Sequence, residues 1–164
     1  MLTAPAPLNH THVIATFDSG VASLDDSLKR RAIHNQLHGA SRTFVTCEGT
    51  QIAGYYALAS SAVALIVAPG RFKRNMPDPI PVVVLGRLAV ARAYQGRGVG
   101  RGLFQDAARR VLQAAETIGI RGLLVHALTD DARGFYLNLG LEPSPLEPMT
   151  LMVTLAQLRG ALAE

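Results

Sequence analysis

The sequence predicts a mixed α/β domain built around one sheet, and three observations carry that expectation. The run VVVLGRLAV (Val82–Val90) is β-branched and almost wholly apolar, as a central strand is. A glycine-rich turn follows it and leads into RGLFQDAARRVLQAAETIG, where Leu103, Phe104, Ala107, Ala108, Val111, Leu112 and Ala115 repeat at the helical period. Beyond that helix the pattern reads strand, short helix, strand. Strands and helices that share one apolar layer in this order make an α/β domain.

The elements follow in chain order. TFDSGVASLDDSLKRRAIHNQLHG opens with a turn and continues as one helix, with Leu24, Leu28, Ile33 and Leu37 loosely on one side and Gly39 as its stop. RTFVTC and QIAGYYALASS flank the short turn EGT and predict a hairpin. AVALIVA predicts a third strand, and the four prolines of PGRFKRNMPDPIP (Pro69–Pro81), with Arg71, Lys73 and Arg74 among them, predict a surface loop. RGLLVHAL is another strand. DDARGFYLNLG is a short helix with Asp130 as its N-cap and Gly140 as its stop, and the first half of MTLMVTLAQL (Met149–Leu158) closes the sheet.

With 164 residues, the chain is expected to form a single domain spanning 1–164. A chain of this size buries roughly 70% of its unfolded surface, so the core needs no staples. Hydrophobic residues make up 49% and charged residues 17%, which excludes a disordered chain. Cys47 is the single cysteine, so no internal disulfide forms, and a reducing cytoplasm is the default location. MLTAPAPLNH lacks a basic start and an apolar run, and SAVALIVA is too short to cross a bilayer, so neither signal peptide nor membrane partner is expected. The net charge of +4 suits an anionic partner such as a nucleotide cofactor or a nucleic acid, and equally suits mere solubility.

The segment YQGRGVG (Tyr94–Gly100) holds the chemistry. Glycine stands at 96, 98 and 100, with Arg97 and Arg101 beside it. A strand feeding such a turn and then a helix is an anion site, because free amides and the positive end of the helix dipole point at the ligand. The segment is not a P-loop, since Gly100-Arg101-Gly102 replaces Gly-Lys-Ser/Thr. It is not the dinucleotide fingerprint either, since the sixth residue from Gly96 is Arg101 and from Gly98 is Leu103. Gln95-x-x-Gly98-x-Gly100 remains. The bland alternative is a turn with no ligand.

Gln95, Gly98 and Gly100 resemble, position for position, the signature of the GNAT-type acetyltransferases, Gln/Arg-x-x-Gly-x-Gly/Ala between a strand and a helix. The resemblance implies a mostly antiparallel central sheet with splayed strands, flanked by helices. It implies acetyl-coenzyme A as acetyl donor, its diphosphate held by backbone amides of Gly96, Arg97, Gly98, Val99, Gly100, Arg101 and Gly102. Leu88, Ala89 and Val90 would then offer main-chain groups to the pantetheine arm. FYLNLGLEP (Phe135–Pro143) is similar to the family's helix-end motif and places Tyr136 opposite the cofactor sulfur, with Asn138 near the cofactor end. A phenol, protonated at pH 7, can protonate the departing thiolate as a general acid. The alternative is a core aromatic with a satisfied hydroxyl.

No carboxylate compels the role of base, and Glu48 and Glu142 are candidates by elimination. An α-amino group, with pKa about 7.7–8.0, needs little help to become nucleophilic. The blocks FDSG, LDDSLKRRAIHNQ, GYYALA, NMPDPIPVVVLGRLAV, QGRGVG, LLVHAL and FYLNLGLEPSPLEPMTLMVTL, in this order, resemble the TacT/AtaT-type toxins of bacterial toxin–antitoxin pairs. That resemblance implies N-acetylation of the amino acid on aminoacyl-tRNA, a homodimer and a ribbon-helix-helix antitoxin. Lys29, Arg30 and Arg31, then Arg71, Lys73 and Arg74, are candidates for tRNA phosphates, and Arg87 and Arg92 for either ligand. Each cluster is equally readable as a solvated face. His34 and His38 lack the further ligand and glutamate of a zinc enzyme, so no metal is expected. Two other functions stay open: acetylation of a protein or small-molecule amine, and a non-catalytic module that only binds the cofactor.

Overall fold

The computed structural model describes residues 1–163. Its elements are β1 (Ala6–Pro7), α1 (Ala22–Arg30), α2 (Ala32–Leu37), β2 (Arg42–Glu48), β3 (Gln51–Val63), α3 (Gly70–Lys73), β4 (Ile80–Val90), α4 (Val99–Ala114), β5 (Gly122–His126), α5 (Asp130–Asn138), β6 (Glu142–Pro143), β7 (Thr150–Thr154) and α6 (Leu155–Ala163). Seven strands form one sheet in the order β1-β2-β3-β4-β5-β7-β6. Four of its pairs are antiparallel, and β4–β5 is parallel. The expected mostly antiparallel sheet with flanking helices is therefore present. No helix among the described residues is long and apolar enough to cross a membrane.

Two compact units make up the chain: Met1–Ala59 with Gly86–Ala107, and Ser60–Leu85 with the residues from Ala108 onward. In the first, Leu8, Phe17, Leu28, Val45, Ile52, Tyr55 and Ala89 share a core. Phe17 meets Tyr55 edge to face at 5.6 Å, and the Tyr55 hydroxyl donates to the Leu24 carbonyl at 2.5 Å. Gly54 allows the closest approach there. A Cβ on it would lie 2.9 Å from the Leu103 Cδ1 methyl and 3.1 Å from the Ala89 carbonyl oxygen. The absence of a side chain at 54 therefore lets the start of α4 sit against β3.

The helix expected across residues 22–38 is two helices, broken at Arg31, where φ is −121°. Gln36 explains the second segment's orientation. Its Nε2 donates to the Leu8 carbonyl at 2.6 Å, and its Oε1 accepts from the Thr43 N–H at 2.9 Å. With Gln36 turned to the strands, Leu37 faces water (79% exposed), and Ala32 takes the buried place instead.

In the second unit Val63, Ala68, Phe72, Ile80, Val82, Leu124 and Met152 pack together. The expected strand AVALIVA is not a separate strand: β3 runs on to Val63, and Leu65–Val67 is a 3₁₀ turn. Val63, Leu65, Val67 and Ala68 of this run pack into the cluster, while Ile66 faces water. Nor is 69–81 wholly a surface loop. Pro69 precedes the single turn of α3, which buries Phe72, and Ile80 already belongs to β4. Arg121 fastens α3 from below, donating through Nε to the Phe72 carbonyl at 2.7 Å and through Nη2 to the Arg71 carbonyl at 2.8 Å. Thr129, not Asp130, caps α5, its hydroxyl accepting from the Ala132 N–H at 3.1 Å. Gly140, at φ +97°, ends that helix as expected.

Candidate active site

β4 ends at Val90, a 3₁₀ turn covers Arg92–Tyr94, and the glycine loop leads into α4. Gly96 and Gly98 have φ of +77° and +80°, a region that side chains rarely adopt. A Cβ at either would meet nothing within 4 Å, so torsion rather than crowding demands glycine. Gly102 has open space at its missing Cβ without any such torsion, which leaves a bare helix start for a ligand to approach. Its N–H, however, donates to the Gly98 carbonyl at 3.1 Å. That N–H is therefore engaged within the first turn of the helix. The N–H groups of Val99, Gly100 and Arg101, at the first three helical positions, are those without an intrahelical acceptor.

Side chains hold this loop in shape. The Gln95 Nε2 donates to the Ser19 carbonyl at 2.8 Å and to the Val90 carbonyl at 2.9 Å, so the amide nitrogen is spent inside the protein. Val90's carbonyl is thereby engaged as well. Ala89 is buried and its oxygen faces Gly54, while Leu88 and Val90 are half-buried. Among the described residues, β4 pairs with β5 at Val83, Val84 and Leu85 and then runs on to Val90. Arg92 is committed too: its N–H reaches the Asp18 carbonyl at 2.8 Å and its Nε the Asp18 carboxylate at 3.1 Å. The Arg92 hydrogen bond, then the Gly20 N–H, hold the Asp18 carboxyl below its usual range. Asp25 extends this set by accepting from the Ser19 N–H at 3.0 Å and hydroxyl at 2.6 Å. None of these partners was legible beforehand, because Gln95 and Ser19 lie 76 residues apart.

Tyr136 belongs to the second unit, on α5, and is 7% exposed. Burial pushes its phenol up, so it keeps its proton well beyond neutral pH. Phe135 meets it edge to face at 5.2 Å, and Asn138 is exposed in the helix's last turn.

Comparison with known proteins decides the family. A family model described as an acetyltransferase (GNAT) domain matches residues 39–143. The chain belongs to the GNAT family. It is 48% identical to the "tRNA-acetylating toxin" of Mycobacterium tuberculosis (strain ATCC 25618 / H37Rv), over 99% of this chain and 98% of that one. Among solved structures, AtaT complexed with acetyl-methionyl-tRNAfMet superposes with a TM-score of 0.89 at 29% identity, covering 97% of this chain and 98% of that one. A tyrosine-to-phenylalanine mutant of AtaT, bound to the C-terminus of the antitoxin AtaR and to acetyl-CoA, gives 0.85 at 28% identity over 100% and 99% of the two chains.

Within this GNAT chain the two carboxylates weighed as bases are both occupied. Glu48 accepts from the Tyr94 hydroxyl, and this bond above all lowers its pKa, making it a weak base. Glu142 accepts from the Gln157 Nε2 at 3.2 Å and lies 3.6 Å from Arg71 Nη1. A hollow of about 540 Å³ beside Arg92–Tyr94 has its polar lining internally paired: Asp18 with Arg92, Glu48 with Tyr94, Thr16 with Gln51. Lys29, Arg30, Arg31, Lys73 and Arg74 are exposed. Arg87 bonds its neighbour's carbonyl at 2.7 Å, and Arg97 lies over the Tyr94 ring at 5.5 Å. Burial raises the Cys47 thiol and keeps it protonated. The His34 and His38 rings lie 4.5 Å apart, tilted by 49°, and among the described residues no group of three metal-binding side chains is found.

Proposed function

We propose that this GNAT protein transfers the acetyl group of acetyl-coenzyme A to the α-amino group of the amino acid on charged tRNA and so blocks translation. The near-full-length likeness to a protein named as a tRNA-acetylating toxin carries this reading. The chain acts as one catalytic domain, and the cytoplasm is where its substrate resides.

Acetyl-coenzyme A supplies an activated thioester. The N–H groups of Val99, Gly100 and Arg101, with the helix dipole behind them, bind its diphosphate, and Arg97 and Arg101 add charge at the rim. Leu88–Val90 line its arm. Tyr136 gives its phenolic proton to the departing sulfur, and burial keeps that proton in place until the thiolate forms. The incoming amine needs no strong protein base, since an α-amino group is already substantially neutral near pH 7.7–8.0. That agrees with Glu48 and Glu142 being committed elsewhere. Lys29, Arg30 and Arg31 face the acceptor's phosphates. An antitoxin partner, supported by the antitoxin-bound AtaT structure, completes the proposal, and we take it to be of ribbon-helix-helix type and to act on a homodimer.

Incubating the protein with acetyl-coenzyme A and total charged tRNA, then releasing the amino acids for mass spectrometry, tests the reading. Acetylated amino acids are expected. Their absence, with acetylation of a protein or a small amine instead, would replace the acceptor.

A further inference from the structure

Away from the glycine loop, the second unit carries a concavity of about 520 Å³ between α3, the start of β5 and the start of α6. Arg71, Arg74, Asn75, Arg121, Thr154 and Gln157 line it. Three guanidinium groups thus line one hollow, and among the described residues Glu142, 3.6 Å from Arg71 Nη1, is the carboxylate paired with them.

Arg121 makes this more than a solvated face. Its guanidinium is fixed by two main-chain carbonyls, at 2.7 and 2.8 Å, and lies over the Phe72 ring at 5.9 Å. A guanidinium has five N–H donors, so about three remain for another acceptor, in a fork whose rotamer is already set. Arg74 follows α3 as an exposed cation on the same rim. A planar fork with further guanidinium groups beside it matches a phosphate oxyanion.

We propose that this hollow seats a phosphate of the RNA backbone, a second contact point for charged tRNA; this rests on the tRNA-acetylating reading above. The lining contains no aromatic ring on which a base would stack, so it reads charge and not sequence. A free phosphorylated small molecule offers the same oxyanion, and the test separates the two sources. The chain's net charge of +4 fits either.

The experiment measures tRNA affinity against salt for the parent, for Arg74→Glu, and for the double variant Arg71→Gln/Arg74→Gln. Arg109→Glu, an exposed position on α4, is the control for net charge. The affinity of each for acetyl-coenzyme A reports that the fold is intact. Arg74→Glu is expected to weaken tRNA binding about tenfold and to flatten the log–log salt slope by about 0.7–0.9. The KM for charged tRNA should rise by more than that for an aminoacyl ester of a single nucleoside. Equal loss in Arg109→Glu, an unchanged salt slope, tRNA binding left intact while inorganic phosphate or a nucleotide competes at the hollow, or a defect confined to an antitoxin would each overturn the proposal. If the parent binds tRNA but acetylates none, the functional reading falls while the affinity series still decides this one.

Discussion

In the glycine loop, the polar side chains are turned inward: Gln95 holds two carbonyls, and Arg92 holds Asp18. What that region presents outward is main-chain N–H at the start of α4. On α5 the arrangement is reversed. The main chain is consumed by the helix, and the group proposed for the chemistry is a buried side chain, Tyr136. Binding a diphosphate calls for several fixed, weak donors, which a backbone supplies. Delivering one proton calls for one group that still holds its proton, which burial secures.

If the contrast holds, damage to the two regions should separate in kinetics. The largest effect is expected from Tyr136→Phe: kcat should fall by about 10²–10⁴-fold. Acetyl-coenzyme A affinity should stay near the parent's in titration calorimetry, and a normal kcat would break the contrast outright. Gly98→Ala forces a side chain to φ +80°. Such a residue costs about 1–2 kcal/mol; the acetyl-coenzyme A Kd should rise about tenfold while kcat at saturation is largely kept.

The pH profile comes next. Burial disfavours the Tyr136 phenolate, so its folded pKa lies above the ordinary value of about 10. The proton is therefore held throughout pH 6–9.5, and the stability gained by keeping that phenol neutral is present below about pH 10 and lost as pH rises through the folded pKa. Activity should climb about tenfold as the acceptor's amine deprotonates near pH 7.7–8.0, with no descending limb before pH 9.5. A bell with a fall near pH 8 would assign the acid elsewhere. Gln95→Leu is the mildest change. It leaves two carbonyls without their donor, at a cost of about 1–3 kcal/mol, seen as a lower Tm and a modest rise in cofactor Kd with kcat intact.

Local structure was legible in the sequence where one short stretch decides it. The glycines of QGRGVG announced a tight turn before a helix, and Gly96 and Gly98 there take the positive φ that selects glycine. The helical stripe from Leu103 to Val111 announced the buried face of α4, and those residues are buried. What stayed hidden depended on distant partners. The break at Arg31 follows from Gln36 reaching Leu8 and Thr43. AVALIVA had the composition of a strand, yet its cover comes from a cluster that includes Phe72 and Met152. Gln95 was recognisable as part of a motif, but its task, gripping Ser19 and Val90, required the fold.

Gly54 bears on how such a protein can be disabled. Even a methyl group there would press on a leucine at 2.9 Å and a carbonyl oxygen at 3.1 Å, levering α4, with the amides proposed to hold the diphosphate, off the neighbouring strand. Codon 54 is thus an Achilles heel whose damage acts through packing. Genetic selections for bacteria that survive overproduction should collect alleles at that codon beside those in the glycine turn.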